Sequence, residues 1–306
     1  LIYIYFHRDL LTHGVSASNL FELADVKEIE EKTPDAIYIF GPKDKGDRKN
    51  SFYYDEENKL YVGYIAYSDK IDYFGYLKKM VLTLNNVINI KKGYLPIHGA
   101  GLSIVLQNDK TVNIVILGDS GAGKSESIEA FRSLAKDYIK EMTIVFDDMG
   151  SFRIKDGKVY AYGTEIGAFV RLDDLDAGYA FKQIDRSIFM NPDKVNSRLI
   201  MPVASFEEIN KGYEVDFFLY ADNYSAVLDN ESSLEIIDDK KEALRIFKRG
   251  GRLAKGTTTE TGLVKTYFAN PFGPVQKMEE CDKLLDQYFE TLYKNKVKVG
   301  TIRTQL

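Results

Sequence analysis

One stretch, Gly118-Asp119-Ser120-Gly121-Ala122-Gly123-Lys124-Ser125, constrains this chain more than any other. It fits G-x-x-x-x-G-K-[ST] and lies between an apolar run, Val112 to Leu117, and a segment from Ser125 to Ile139 that reads as a helix. A strand–loop–helix unit is what that pattern needs. Its glycines let the backbone wrap an anion, so that successive N–H groups and the helix N-terminus face the anion's oxygens. Lys124 then neutralises β/γ-phosphate charge, and the Ser125 hydroxyl ligates a divalent cation. The plainer alternative is a glycine-rich turn that binds nothing. The fit of the motif and of both flanking elements argues against it.

The rest of the chain is compatible with such a unit. Its 306 residues, 44% hydrophobic and 28% charged, have the balance of a soluble globular protein with one large domain or two smaller ones. Forty-one basic against 46 acidic residues leave a net charge of −5, which argues against a nucleic-acid-binding surface. The single cysteine, Cys281, excludes an internal disulfide and any multi-cysteine metal site, and it fits a reducing, cytoplasmic location. The opening Leu1-Ile2-Tyr3-Ile4-Tyr5-Phe6 is too short to span a bilayer and has no signal-peptide layout, so no membrane association is expected. Twenty-one Tyr and 18 Phe with no Trp suit sheet-rich packing. No motif speaks to oligomeric state.

Patterning supplies the neighbouring elements. The first ~75 residues mix an amphipathic stretch, Asn19 to Lys32, with strand-like runs at Ala36 to Phe40 and Leu60 to Tyr67. Leu77, Met80, Val81, Leu84, Val87 and Ile88 recur at helical spacing between Tyr73 and Ile90, and Gly93 stops the pattern. Leu102 to Leu106 and Val112 to Leu117 read as a hairpin, and Thr143 to Phe146 as a buried strand. A second hairpin is expected about Asp156-Gly157, with strands at Arg198 to Val203 and Val215 to Ala221 and a helix near Met278 to Tyr293. The expected organisation is a mixed α/β domain carrying a smaller N-terminal portion, with a boundary near residues 70–75.

Asp147-Asp148 follow the Thr143 to Phe146 strand, where a P-loop protein places the acid that holds the nucleotide's metal. One of the two could instead act as base toward an acceptor hydroxyl, and a simple turn is the bland alternative. His98, in Pro96-Ile97-His98-Gly99-Ala100-Gly101, is one of three histidines; taken alone it reads more as a structural residue than as a ligand.

Beyond these local readings, Gly118 to Glu126 preceded by His98-Gly99 resembles the bacterial HPr kinase/phosphorylase, and residues 73–306 resemble the P-loop domain of ATP-type phosphoenolpyruvate carboxykinase. Tyr73-Phe74-Gly75-Tyr76-Leu77-Lys78-Lys79 is similar to that family's Tyr-Gly-Gly-x-x-Lys-Lys segment. There the tyrosine approaches the substrate carboxylate, the second lysine binds manganese, and a metal-binding histidine follows 19 residues later, the interval from Lys79 to His98. Asn196-Ser197-Arg198 resembles the carboxykinase Asn-Thr-Arg, whose arginine contacts the transferred phosphoryl group. Gly256-Thr257-Thr258-Thr259-Glu260-Thr261-Gly262 and Phe268-Ala269-Asn270-Pro271-Phe272-Gly273 resemble its mobile lid and the strand after it. The departures are clear: only 72 residues precede Tyr73, and Phe40-Gly41 stands before Pro42-Lys43-Asp44-Lys45 where the family's phosphoenolpyruvate-binding arginine would be.

The resemblance implies a carboxykinase-like P-loop domain, a mixed sheet with flanking helices, over 73–306, and a small α+β portion over 1–72 that could bind the acceptor. It implies metal-dependent phosphoryl transfer from ATP, or from another donor such as pyrophosphate, to a small hydroxyl-bearing metabolite. Gly118 to Ser125 would hold the donor. Mg²⁺ would sit on Ser125, and Mn²⁺ on Lys79, His98 and Asp147. Asp147 or Asp148 would serve as base, with Arg198 and Tyr73 facing the substrate. The alternative is a true carboxykinase that makes phosphoenolpyruvate from oxaloacetate. A protein serine kinase of the HPr type and a non-catalytic nucleotide-binding regulator complete the expectations.

Overall fold

The computed structural model describes residues 1–43, 50–134, 137–171, 188–190, 198–226, 232–254 and 261–304. In chain order its elements begin β1 (Ile2–Phe6), α1 (Leu11–Leu20), α2 (Val26–Glu31), β2 (Ala36–Phe40), β3 (Ser51–Asp55), β4 (Leu60–Ile65) and α3 (Gly75–Lys91). They continue with β5 (Leu95–Leu106), β6 (Thr111–Leu117), α4 (Lys124–Leu134), β7 (Ile139–Lys155), β8 (Lys158–Gly163), β9 (Gly167–Arg171), β10 (Ile188–Met190) and β11 (Arg198–Pro202). The last are α5 (Phe206–Asn210), β12 (Tyr213–Glu214), β13 (Phe217–Asp222), β14 (Leu234–Ile236), α6 (Lys240–Arg249), β15 (Gly251–Leu253), β16 (Leu263–Lys265), α7 (Met278–Lys294) and β17 (Lys298–Arg303). Helices and mixed sheets together make a mixed α/β protein, and the chain divides into two compact units, 1–88 with 165–206 and 89–164 with 207–306.

In the first unit the sheet order is β1-β2-β4-β3, parallel through β1, β2 and β4, with β3 antiparallel at the edge. Alternation along β2 buries Ala36, Tyr38 and Phe40, as a period of two requires when one face is covered. The cover is the apolar stripe of α3, where Leu77, Val81, Leu84 and Val87 recur every three or four residues and share one core with the β2 residues. A three-stranded antiparallel sheet, β10-β11-β9, contributes Ile200 and Phe169 to the same cluster. The amphipathic stretch read from Asn19 to Lys32 is corrected here to two helices, with α1 ending at Leu20. Asp25 and Glu28 form a reciprocal capping box, Glu28 N–H donating to Asp25 Oδ1 at 2.7 Å, and this starts α2 afresh. The boundary expected near residues 70–75 falls inside this unit, which runs to Ile88 and resumes at Glu165.

Among the described residues, the second unit's main sheet has the order β12-β8-β7-β5-β6-β13-β17-β14. β6 pairs antiparallel with β5 and parallel with β13, so the strand leading into Gly118 lies in the middle of the sheet. Ile114 to Leu117 are buried, which explains their unbroken apolar run. The helix expected to reach Ile139 ends at Leu134 instead, because Ile139 pairs with Leu106 and opens β7. β7 runs 17 residues to Lys155, so Asp147 and Asp148 lie within a strand and not in a turn. They stand opposite Ala100 and Gly99 of β5. One face of the sheet is packed by α7, whose Cys281, Leu284, Leu285, Tyr288, Phe289 and Leu292 are buried at helical spacing. Phe218 of β13 anchors an aromatic cluster there, 4.7 Å from Phe247 and 4.9 Å from Phe152 between ring centroids. No helix among the described residues is long and apolar enough to cross a membrane.

Candidate functional site

The phosphate-loop motif lies between the end of β6 and the first turn of α4, all within the second unit. Gly118 N–H donates to the His98 carbonyl at 3.0 Å, tying the loop's start to β5. Gly121 and Gly123 have φ of +78° and +92°, the left-handed region where a side chain is strained. A Cβ on Gly123 would also come within 2.6 Å of Thr304 Cβ. Residues alternating between the two hands turn successive N–H groups to one side, the concave arrangement that receives anions.

One ammonium–carboxylate and one hydroxyl–carboxylate contact connect this loop with β7. Lys124, only 6% exposed, donates from Nζ to Asp148 Oδ1 at 3.2 Å, and Ser125 Oγ donates to both Asp147 oxygens at 3.2 Å. The small residues Gly99 and Ala100 of the intervening β5 stand opposite the two aspartates. The motif and the acid pair, expected from sequence as separate features, are therefore in direct contact.

His98 is fully buried and joins the same cluster. Its Nδ1 lies 2.8 Å from the Ala269 carbonyl oxygen, and its Nε2 lies 2.9 Å from Asp148 Oδ1. A carbonyl only accepts, so Nδ1 carries the hydrogen; Nδ1 also lies 3.6 Å from Asp119 Oδ1, while Nε2 faces Asp148, which Lys124 contacts as well. Phe272 packs edge-on against the ring at 5.6 Å. Ala269 presents its carbonyl from an unusual backbone: Phe268 and Ala269 have φ of +50° and +48°, two consecutive non-glycine residues in the left-handed region, both fully buried. Such strain persists only where the surroundings over-determine it, and it concentrates at functional sites.

Asp119, the second residue of the motif, is buried beneath the loop. Its Oδ2 accepts from Arg252 Nε at 3.1 Å and from Thr266 Oγ1 at 2.8 Å, and its Oδ1 accepts from Ser120 N–H at 2.7 Å. Burial works to raise this carboxyl, but His98, the Ser120 N–H, Thr266 and Arg252 outweigh it and hold the group below the usual carboxylate range. Thr304 Oγ donates to the Ala122 carbonyl, and Asn223 Nδ2 donates to the Gly121 carbonyl at 3.0 Å. Arg252, Thr266, Thr304, Asn223 and Ala269 escape sequence reasoning, because they lie about 100 or more residues from the groups they hold and no local pattern marks them. Only the Phe268 to Gly273 resemblance pointed near one of them.

The donor chemistry suits a hard cation beside Ser125 and Asp147, whereas the set expected for Mn²⁺ is not brought together. Ser125 Oγ with the Asp147 carboxylate offers the hard oxygens that Mg²⁺ takes, and Mg²⁺ uses one or two carboxylates with substrate phosphates in place of an all-protein cage. Among the described residues no group of three or more His, Cys, Asp or Glu is arranged to hold a metal. For Mn²⁺, the Nδ1–H of His98 is held by a backbone carbonyl, the outer contact typical of a ligating imidazole. Its carboxylate neighbour is Asp148, not the Asp147 expected from sequence.

The remaining expected residues belong to the first unit. Lys79 is an exposed residue of α3, whereas its neighbour Lys78 is buried and paired with Glu165 at 3.0 Å. Tyr73, Lys78 and Arg198 all surround the Phe169 ring. The Tyr73 ring centroid is 5.9 Å from it, Lys78 Nζ 5.7 Å and the Arg198 guanidinium carbon 5.4 Å. The structure thus groups Tyr73 with Arg198 and adds Lys78, which sequence reasoning passed over. Asn196, Ser197 and Gly256 to Glu260 lie outside the described residues.

No protein-family model matches the chain, and no curated protein matches it.

Proposed function

We propose that the second unit binds the phosphates of a nucleoside triphosphate, ATP by preference, and catalyses metal-dependent phosphoryl transfer to a small hydroxyl-bearing metabolite. The observation that carries this reading is the joint contact of Lys124 with Asp148 and of Ser125 with Asp147 at the mouth of a strand–loop–helix turn. A phosphate arriving there meets loop N–H groups and the Lys124 ammonium, which disperse charge on the β and γ oxygens. Ser125 and Asp147 would hold Mg²⁺, and His98 Nε2 would contribute a ligand to Mn²⁺. Bound, the cations supply charge neutralisation for an in-line displacement. Asp147 or Asp148 would take the acceptor's hydroxyl proton. Pyrophosphate would satisfy the same loop chemistry.

A second reading rests on the first unit considered by itself. Tyr73 and Arg198 beside Phe169 form a cationic, aromatic group suited to a carboxylate, and Arg198 Nε is buried with no hydrogen-bond partner among the described residues. A carboxylate-bearing acceptor such as oxaloacetate, and with it carboxykinase chemistry, is the reading this favours.

Phosphorus NMR of the purified protein with ATP, Mg²⁺ and Mn²⁺ separates the two. A phosphomonoester formed from a pool of hydroxyl-bearing metabolites supports the kinase. Phosphoenolpyruvate formed only with oxaloacetate supports the carboxykinase. ATP left unchanged in every arm, with no binding, overturns both.

A further inference from the structure

Asn223 stands at the end of β13, is fully buried, and lies 102 residues from the phosphate loop in sequence. Its amide makes three hydrogen bonds. Oδ1 accepts from Leu253 N–H at 2.8 Å, and Nδ2 donates to the Leu253 carbonyl at 3.0 Å and to the Gly121 carbonyl at 3.0 Å. The partners fix the amide's orientation, because an N–H must face the oxygen and two carbonyls must face the nitrogen. Both side-chain donors are thus used, and the amide pairs with the Leu253 peptide as a neighbouring strand would.

These bonds join two structures. Gly121 is left-handed, and the peptide that joins it to Ala122 forms the turn of the loop: its N–H donates to the Asp119 carbonyl at 3.0 Å, which leaves its carbonyl directed to the opposite side. Asn223 holds the Gly121 carbonyl on the far side, and Thr304 does the same for Ala122. Leu253 belongs to β15, which pairs with β16 as a two-stranded ribbon. Arg252, beside Leu253, and Thr266, just after β16, both bind Asp119 of the loop. The ribbon is therefore attached to the phosphate loop at Asp119 directly and at Gly121 through Asn223.

We infer that Asn223 is a positioning residue that presets the phosphate loop for its anion and couples loop occupancy to the β15–β16 ribbon. The inference rests on the reading of the second unit as a triphosphate site. Without the Nδ2 donors the peptide joining Gly121 to Ala122 keeps only its N–H anchor to the Asp119 carbonyl, so the turn is held at one end instead of two and phosphate binding must order it at the expense of affinity. In the other direction, an anion that tightens the loop also tightens Leu253.

The test compares the wild-type chain with Asn223→Asp and Asn223→Ala, measuring Mg²⁺·ATP affinity by titration calorimetry and amide exchange with and without nucleotide. Asn223→Asp keeps the volume and the acceptor for Leu253 N–H but offers no donor to either carbonyl. The expected result is a folded protein that binds Mg²⁺·ATP about 10- to 100-fold more weakly. Its Gly121 to Ser125 amides should exchange faster without ligand. In the wild type, Mg²⁺·ATP should slow exchange at the Leu253 amide. A folded Asn223→Asp protein with wild-type affinity and wild-type loop exchange overturns the inference, since a merely structural residue would lower stability alone. If neither variant folds, an unchanged Leu253 amide in nucleotide-saturated wild type overturns the coupling. If the wild type binds no ATP, the triphosphate reading fails, and equal loop exchange in unliganded wild type and Asn223→Asp then overturns the positioning role separately.

Discussion

His98 Nε2 lies 2.9 Å from Asp148 Oδ1, while the other ring nitrogen is held by the Ala269 carbonyl, so the imidazole is locked with one nitrogen toward the Lys124–Asp148 pair. The two residues come from β5 and β7, adjacent antiparallel strands, and are 50 positions apart in sequence.

His98→Ala is expected to raise the Mn²⁺ concentration needed for half-maximal phosphoryl transfer while leaving Mg²⁺·ATP binding largely intact. A metal titration of activity checks it. An unchanged Mn²⁺ dependence removes His98 from the ligand set.

Lys124→Ala removes the ammonium that, in the proposed function, would meet the phosphates. Its Mg²⁺·ATP affinity is expected to fall by about 10- to 150-fold, corresponding to the ~1.5–3 kcal/mol of a hydrogen bond to a charged group. Calorimetry at fixed ionic strength measures this. Affinity equal to wild type means that the loop does not receive the nucleotide.

The Asp119 carboxyl lies below its ordinary range, so its stabilising contribution is present above the unfolded value of roughly pH 4 and is lost as pH falls through the lower folded value. Asp119→Asn should therefore be less stable than wild type at neutral pH, and the difference should shrink as the solution is acidified below about pH 4. Urea midpoints at pH 7, 4 and 3 give the comparison. A gap that stays constant across this range contradicts the assignment.

In the first unit, Lys78 and Glu165 form a buried ion pair, with side chains 9% and 2% exposed. Glu165→Ala leaves the ammonium buried beside the Phe169 ring and is expected to cost about 3–5 kcal/mol. The double variant Glu165→Ala/Lys78→Met should recover a large part of that loss. Denaturant unfolding of both proteins decides the matter, and a loss below about 1 kcal/mol in the single variant would place the pair in solvent.

Burial pushes the Cys281 thiol up to about 12, because it sits on the core face of α7. Native protein should resist thiol reagents at pH 8 and react only at the rate of unfolding. Prompt labelling would mean that α7 does not pack as described.

Much of the candidate site's local geometry was legible in the chain itself, because its signals are local. Gly121, Gly123, Lys124 and Ser125 occupy fixed offsets set by the loop's own backbone, and the apolar run into Leu117 marks a strand buried on both faces. The stripe on α3 and the 281–292 face of α7 were readable for the same reason: a helix period of 3.6 writes burial directly into spacing. Tertiary pairing decided the rest. Ile139 left its expected helix because Leu106 offered it a strand partner, and Asp147 and Asp148 became strand residues because β7 runs past them along β5. Asn223, Arg252, Thr266 and Thr304 hold the loop from distant segments, through hydrogen bonds that have no period and no preferred separation. A single buried amide or guanidinium looks the same in sequence wherever it lies; its partner is chosen only when the sheet brings β6, β13 and the β15–β16 ribbon together.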